Sequence, residues 1–137
     1  RARHVLVVGS PRTGADQILS HSTEGMTIST PVQALTDDRD ALVAIAMNGE
    51  PLPNRHGFPA RLVVPGLYGF VSATKWLTEI ELTTFAEFDH DWLRRGWAQK
   101  APIKLMSRID TPRGLAKVAA GVVPIAGVAW AQTIGAV

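Results

Sequence analysis

His56, Arg61 and Lys75 are the residues whose types could do chemistry together. Arginine forks onto phosphate or carboxylate through paired N–H groups, lysine adds a point charge, and histidine donates a further hydrogen bond. The three can hold an anionic ligand. The same spacing also fits a plainer reading, with Arg61 and Lys75 as solvated strand ends and His56 as a loop residue. The frame that must position them is Asn48 to Trp76, where Pro51, Pro53, Pro59 and Pro65 alternate with Gly49, Gly57, Gly66 and Gly69. Each proline fixes φ and restricts its predecessor, whereas glycine opens backbone angles closed to other residues. Around the apolar run Leu62 to Val64, this pattern predicts a shaped loop, a buried strand and a second shaped loop.

This frame carries a family resemblance. Met47-Asn48-Gly49-Glu50-Pro51-Leu52-Pro53, His56-Gly57-Phe58-Pro59-Ala60-Arg61, Val63-Val64-Pro65-Gly66 and Lys75-Trp76 stand in fixed order. The segment resembles the molybdopterin-binding domain of the sulfite oxidase family, bacterial type. The likeness runs from about Pro31 to Trp130 and is tight from Ala46 to Trp76. It implies an α+β fold, with residues 1–110 as the molybdopterin-binding part. It also implies that residues 111–137 begin an immunoglobulin-like domain of the molybdenum cofactor dimerisation type, suggested by Gly127-Val128-Ala129-Trp130.

The resemblance further implies oxo transfer at molybdenum held by a pyranopterin, with the protein supplying position and charge. The family's histidine and arginine contacts to the cofactor fall on His56 and Arg61. Its lysine contact falls on Lys75, after one extra residue in Phe70 to Thr74, and its neighbouring contacts fall near Ser72 and Thr74. Implied partners are a small-molecule substrate, a redox protein or membrane electron carrier, and a second copy in a homodimer; the implied location is extracytoplasmic or membrane-anchored. Two departures stand out. The family's metal is ligated by an upstream cysteine and this chain has none, so it is expected to be a fragment unable to complete the metal site or hold molybdenum. At the family's active-site tyrosine, after Trp92-Leu93-Arg94-Arg95, stands Trp97, which has an N–H but no ionisable hydroxyl. Sulfite is therefore not the expected substrate. The alternative is a non-catalytic anion- or partner-binding module that retains the fold.

Composition agrees with a globular chain. The 137 residues are 46% hydrophobic and carry a net charge of +2, enough for one core. Basic residues are scattered, so no nucleic-acid surface is indicated. The lack of cysteine excludes disulfides, thiolate catalysis and cysteine-ligated metal within this chain.

Along the chain, His4 to Val8 reads as a buried strand leading into Gly9-Ser10-Pro11-Arg12-Thr13-Gly14. The glycine spacing matches a phosphate loop, but Ala15-Asp16 stands where lysine and a hydroxyl residue are required. The same words resemble a sulfotransferase loop, which also needs a hydroxyl after Gly14. A short helix is expected at Asp16–Ser20, a turn at Ser22–Gly25, and a helix started by Thr30 and Pro31 that ends by Asp38. Ala41–Met47 reads as a strand buried on both faces, followed by a tight Asn48-Gly49 turn. Thr78–Leu82 alternates as a half-buried strand, and Asp91–Gln99 reads as a helix. Phe85, Phe88, Trp92 and Trp97 are expected in the core. Ile103–Ile109 and Val122–Ala129 read as strands. The apolar tail from Leu115 is long enough for a membrane span, but Pro124, its glycines and the lack of anchors at both ends favour a strand.

Overall fold

A computed structural model of the chain describes residues 3–4 and 14–131. The expected strand from His4 to Val8 and the Gly9–Gly14 loop lie almost wholly outside the described residues. The chain divides into two compact units, Arg1–Pro102 and Ile103–Val137.

In the first unit, β1 (Arg3–His4), β4 (Leu42–Ala44) and β7 (Arg61–Val63) form an antiparallel sheet centred on β4. A second sheet runs in the order β3 (Thr27–Pro31), β2 (Gln17–Ser22), β8 (Leu77–Thr83), with β2 antiparallel to both neighbours. A small hairpin joins β5 (Ala46–Met47) to β6 (Glu50–Pro51). Its turn is the expected Asn48-Gly49, with φ of 54° and 88°, a pairing that matches the twist of the flanking strands. The core comprises Ile18, Ala34, Leu62, Val64, Leu67, Val71 and Ala101. The central stretch supplies four of these, so the punctuated frame is also the heart of the packing. Leu62 and Val64 are buried while Val63 turns to the half-buried side.

Several expectations are corrected. Asp16–Ser20 does not form a helix: Gln17–Ser22 is β2, a strand paired on both sides, whose Ser20 Oγ donates across the sheet to the Ile28 carbonyl. Thr30 and Pro31 end β3 and do not open a helix; α1 spans only Gln33–Thr36 and starts after Val32. Ala41–Met47 is interrupted at Ile45, which is 45% exposed, and the strands on either side are half-buried at most. In place of the expected helix at Asp91–Gln99 stands a single 3₁₀ turn, Leu93–Arg95, ended by Gly96 at φ 83°. Helix among the described residues is thus four α residues and three 3₁₀ turns, so in place of the expected α+β fold the described residues form mostly small sheets with little helix. β8 has the expected alternation in sequence but is not half-buried: Ile80 and Leu82 are 41% and 44% exposed, and this edge strand is open to solvent on both faces along its middle.

In the second unit, β9 (Met106–Thr111) pairs antiparallel with β10 (Ala126–Trp130). No helix among the described residues is long and apolar enough to cross a membrane.

Candidate functional site

The site is built around Gly57. Pro51 and Pro53 lead into a 3₁₀ turn at Asn54–His56, closed by Gly57 at φ 105°, ψ 29°, a left-handed conformation that glycine adopts without steric cost. A Cβ on Gly57 would stand 3.0 Å from Lys75 Cβ, 3.1 Å from Lys75 Cα and 3.2 Å from Arg61 Cβ. Bare backbone here is what lets three distant positions close on one point. His56 precedes that glycine, and its carbonyl accepts a hydrogen bond from Arg61 Nη1 at 3.3 Å. The structure therefore brings His56, Arg61 and Lys75 into one neighbourhood, which the sequence places at intervals of five and fourteen residues.

Backbone hydrogen bonds hold this meeting rigid. β7 is paired with β4 on one edge. On the other it continues onto the segment after Val71: Leu62 N donates to Thr74 O at 2.9 Å and Val64 N to Ser72 O at 3.1 Å. Trp76 N donates to Gly57 O at 3.3 Å, and Leu77 N to Ala60 O at 2.9 Å. The Trp76 indole N–H reaches Asn54, 2.8 Å from its carbonyl and 3.1 Å from its side-chain oxygen. Lys75 Nζ lies 4.2 Å from the centroid of the Trp76 ring, a cation–π contact that parks the ammonium. Trp76 and Asn54 are thus the clasp. The Lys75-Trp76 pair could be read from the sequence, but nothing there pointed to Asn54 as its partner.

Ser72 and Thr74 lie beside these residues, both buried. Their hydroxyls are engaged inside the protein: Ser72 Oγ donates to the carbonyls of Leu67 and Tyr68, and Thr74 Oγ1 meets Ser20 Oγ at 2.5 Å. They fix the segment that carries Lys75, with their hydroxyls committed inside the protein.

Trp97 is 47% exposed and so is not core as expected. Its ring packs edge-on to Phe70 at 4.7 Å and tilted against Trp92 at 5.1 Å. Phe70 in turn stacks on Tyr68 at 6.2 Å, so an aromatic row links the Trp92–Trp97 turn to the loop before Lys75. Arg94 and Arg95 lie over the rings of Phe88 and Trp92. A separate cavity of about 330 Å³, lined by residues including Asp16, Gln33, Thr36, Phe85 and Lys100, does not contain His56, Arg61 or Lys75.

The chemical character of the site is that of an anion holder. Arg61 Nε is buried with no hydrogen-bond partner in the protein. A buried guanidinium N–H without an acceptor is an unfilled demand for one. Arg61 and Lys75 leave the backbone side by side at Gly57, next to His56, and such a donor set fits a ligand rich in negative oxygen.

Fold and site thus define a small-sheet domain in which hydrogen-bonded loops bring Arg61 and Lys75 together at Gly57. Residues 1–92 match the family described as oxidoreductase molybdopterin binding domain, and the chain belongs to that family. It is 33% identical over 115 residues to mouse mitochondrial sulfite oxidase, covering 72% of this chain and 21% of the relative. It is 40% identical over 85 residues to an uncharacterised oxidoreductase of Bacillus subtilis, covering 61% of this chain and 40% of the relative. A soybean inducible NADH nitrate reductase shares 47% over 51 residues, 37% of this chain and 6% of that protein. The chain spans about a fifth of the length of the sulfite oxidases it matches.

Proposed function

We propose that this chain is the cofactor-gripping part of a molybdopterin-dependent oxidoreductase, with His56, Arg61 and Lys75 holding the anionic, acceptor-rich portion of the cofactor. The observation that carries this reading is the approach of Arg61 and Lys75 to Gly57 beside His56. The orphaned Arg61 Nε supports it. In this reading Ser72 and Thr74 border the ligand through their backbone. When bound, the cofactor supplies oxo transfer to or from a small-molecule substrate, with electrons passing to a redox protein or membrane carrier.

The chain's own residues bind and orient. Arg61 and Lys75 neutralise negative charge, and His56 adds a directed hydrogen bond. Rigid backbone around Gly57 keeps the donors in place before the ligand arrives, which lowers the ordering cost of binding. Trp97 at the position of the family's tyrosine favours a substrate other than sulfite, since an indole cannot ionise as a phenol does. The chain contains no cysteine, so a thiolate for the metal comes from outside the sequence described. A homodimer built through an immunoglobulin-like continuation, and an extracytoplasmic or membrane-anchored setting, belong to the same proposal.

The lack of cysteine also favours a second reading, a non-catalytic module that holds an anion or a protein partner. Molybdenum and pterin content of the intact protein separate the two. In the first reading Arg61→Ala removes a charge-assisted bond worth about 1.5–3 kcal/mol, hence roughly ten- to a hundredfold weaker cofactor retention. Intact protein carrying neither molybdenum nor pterin would overturn it in favour of the second.

A further inference from the structure

The face of the β2–β3 sheet turned away from the core is polar and yet sealed. The register pairs Gln17 with Pro31 and Leu19 with Ser29, so these four side chains share one face. Ser20, on the opposite face, meets Thr74 beside the core. The segment after β8 crosses the outer face and is pinned at three points. Phe85 N donates to the Asp16 carboxylate at 2.8 Å, Gln17 Nε2 to Phe88 O at 3.3 Å, and Thr27 N to the Asp91 carboxylate at 3.4 Å. Phe88 is therefore anchored at the Gln17 end and Asp91 at the Thr27 end. His90 lies between them in the chain, on the segment that crosses the face holding Leu19 and Ser29.

Gln17, Ser29 and His90 are all 0% exposed. Yet Gln17 Oε1, Ser29 Oγ and both ring nitrogens of His90 have no protein hydrogen-bond partner. Buried polar atoms are satisfied by protein or by ordered water in nearly every native structure, and here four of them belong to one sheet face and to the segment pinned across it. Their character selects the ligand. A neutral imidazole offers one donor and one acceptor, a hydroxyl offers both, and an amide oxygen accepts. That mixed, uncharged set matches neither an anion nor a cation. It matches water, which donates twice and accepts twice and recurs in protein interiors where polar groups face one another.

We propose that Gln17, Ser29 and His90 form an internal hydration site, in which ordered water ties the segment leading to the Trp92–Trp97 turn onto the sheet. The aromatic row that includes Trp97 is then held partly by buried water, at a place remote in sequence from the His56–Lys75 frame. This inference does not depend on the cofactor reading.

The test is water-selective NOESY and ROESY on the isotope-labelled chain, read at the carbon-bound ring hydrogens of His90, together with a crystal structure fine enough to show solvent. The expected result is water cross-peaks of opposite sign in the two spectra, marking long residence, and density within hydrogen-bonding reach of His90 and Ser29. His90→Phe, which fills the space with an apolar ring, should remove that density. Absent cross-peaks at an assigned His90 ring, or direct protein–protein bonds satisfying the same four atoms, would overturn the proposal.

Discussion

Gly57→Ala tests the geometry at the centre of the site. Two separate costs follow from the structure. Alanine must adopt φ 105°, and a left-handed conformation costs a residue with a Cβ about 1–2 kcal/mol. The new methyl would also stand 3.0 Å from Lys75 Cβ and 3.2 Å from Arg61 Cβ. These are atoms at the root of their side chains, so no rotamer change clears them. Overpacking of this kind costs roughly 1–3 kcal/mol. The sum is about 2–5 kcal/mol, which at roughly 2 kcal/mol per molar urea lowers the unfolding midpoint by about 1–2.5 M. Gly49→Ala is the control: its φ is 88° but nothing lies within 4 Å of its Cβ position, so it carries the backbone cost alone, about 1–2 kcal/mol. Urea titrations of both variants, followed by far-UV circular dichroism, isolate the close approach as their difference. Equal midpoints for the two would refute the claim that Gly57 lets Arg61 and Lys75 converge.

Further outcomes follow from the core and the buried polar groups. Val64→Asp places an unpaired charge at a position 3% exposed and is expected to prevent folding, seen as loss of a cooperative thermal transition. Thr74→Val removes the partner of Ser20 Oγ, which keeps its bond to the Ile28 carbonyl; the expected loss is about 1 kcal/mol in a denaturant titration. Burial lowers the pKa of His90 below its ordinary 6.5, with Asp91 and Asp89 opposing in part. The native state then binds fewer protons than the unfolded chain between its lowered pKa and about 6.5, so this stabilisation is complete above that pH and is lost progressively as pH falls below it. His90→Phe should flatten that part of the stability–pH curve, measured by urea midpoints at stepped pH.

Much of the fold was legible in the sequence where local chemistry and tertiary structure agree. Asn48-Gly49 makes its hairpin turn because both residues accept positive φ. The run at Leu62 to Val64 is a strand in the core because it is apolar and bounded by proline and glycine. His56, Arg61 and Lys75 could be named from the motif, but their meeting at Gly57 depends on pairing between β7 and the segment after Val71, which no local pattern encodes. The misses have a shared cause. Gln17–Ser22 mixes buried glutamine and serine with isoleucine and leucine, because both faces of β2 are covered, by the core and Thr74 on one side and by the Phe88 segment on the other, so the alternation that marks a strand is erased. Asp91–Gln99 has an acidic start and basic residues after it that suit a helix, but Gly96 in a left-handed conformation ends it after a single turn. His90 gave no signal, since a lone histidine between two aspartates looks solvated.

β2 carries one more consequence. Its neighbour β8 alternates glutamate with isoleucine and leucine but is exposed along its middle, so sliding it by one residue would lose little burial. β2 cannot slide. A shift of one position would turn Ser20 away from Thr74 and the Ile28 carbonyl, take Gln17 from Phe88, and bring Ile18 out of the core. Every such error strands a polar group inside or an apolar one outside. The sheet is thus proofread by a central strand that mixes polar and apolar residues, and the wrong alignments that its outer edge would tolerate are rejected at its centre.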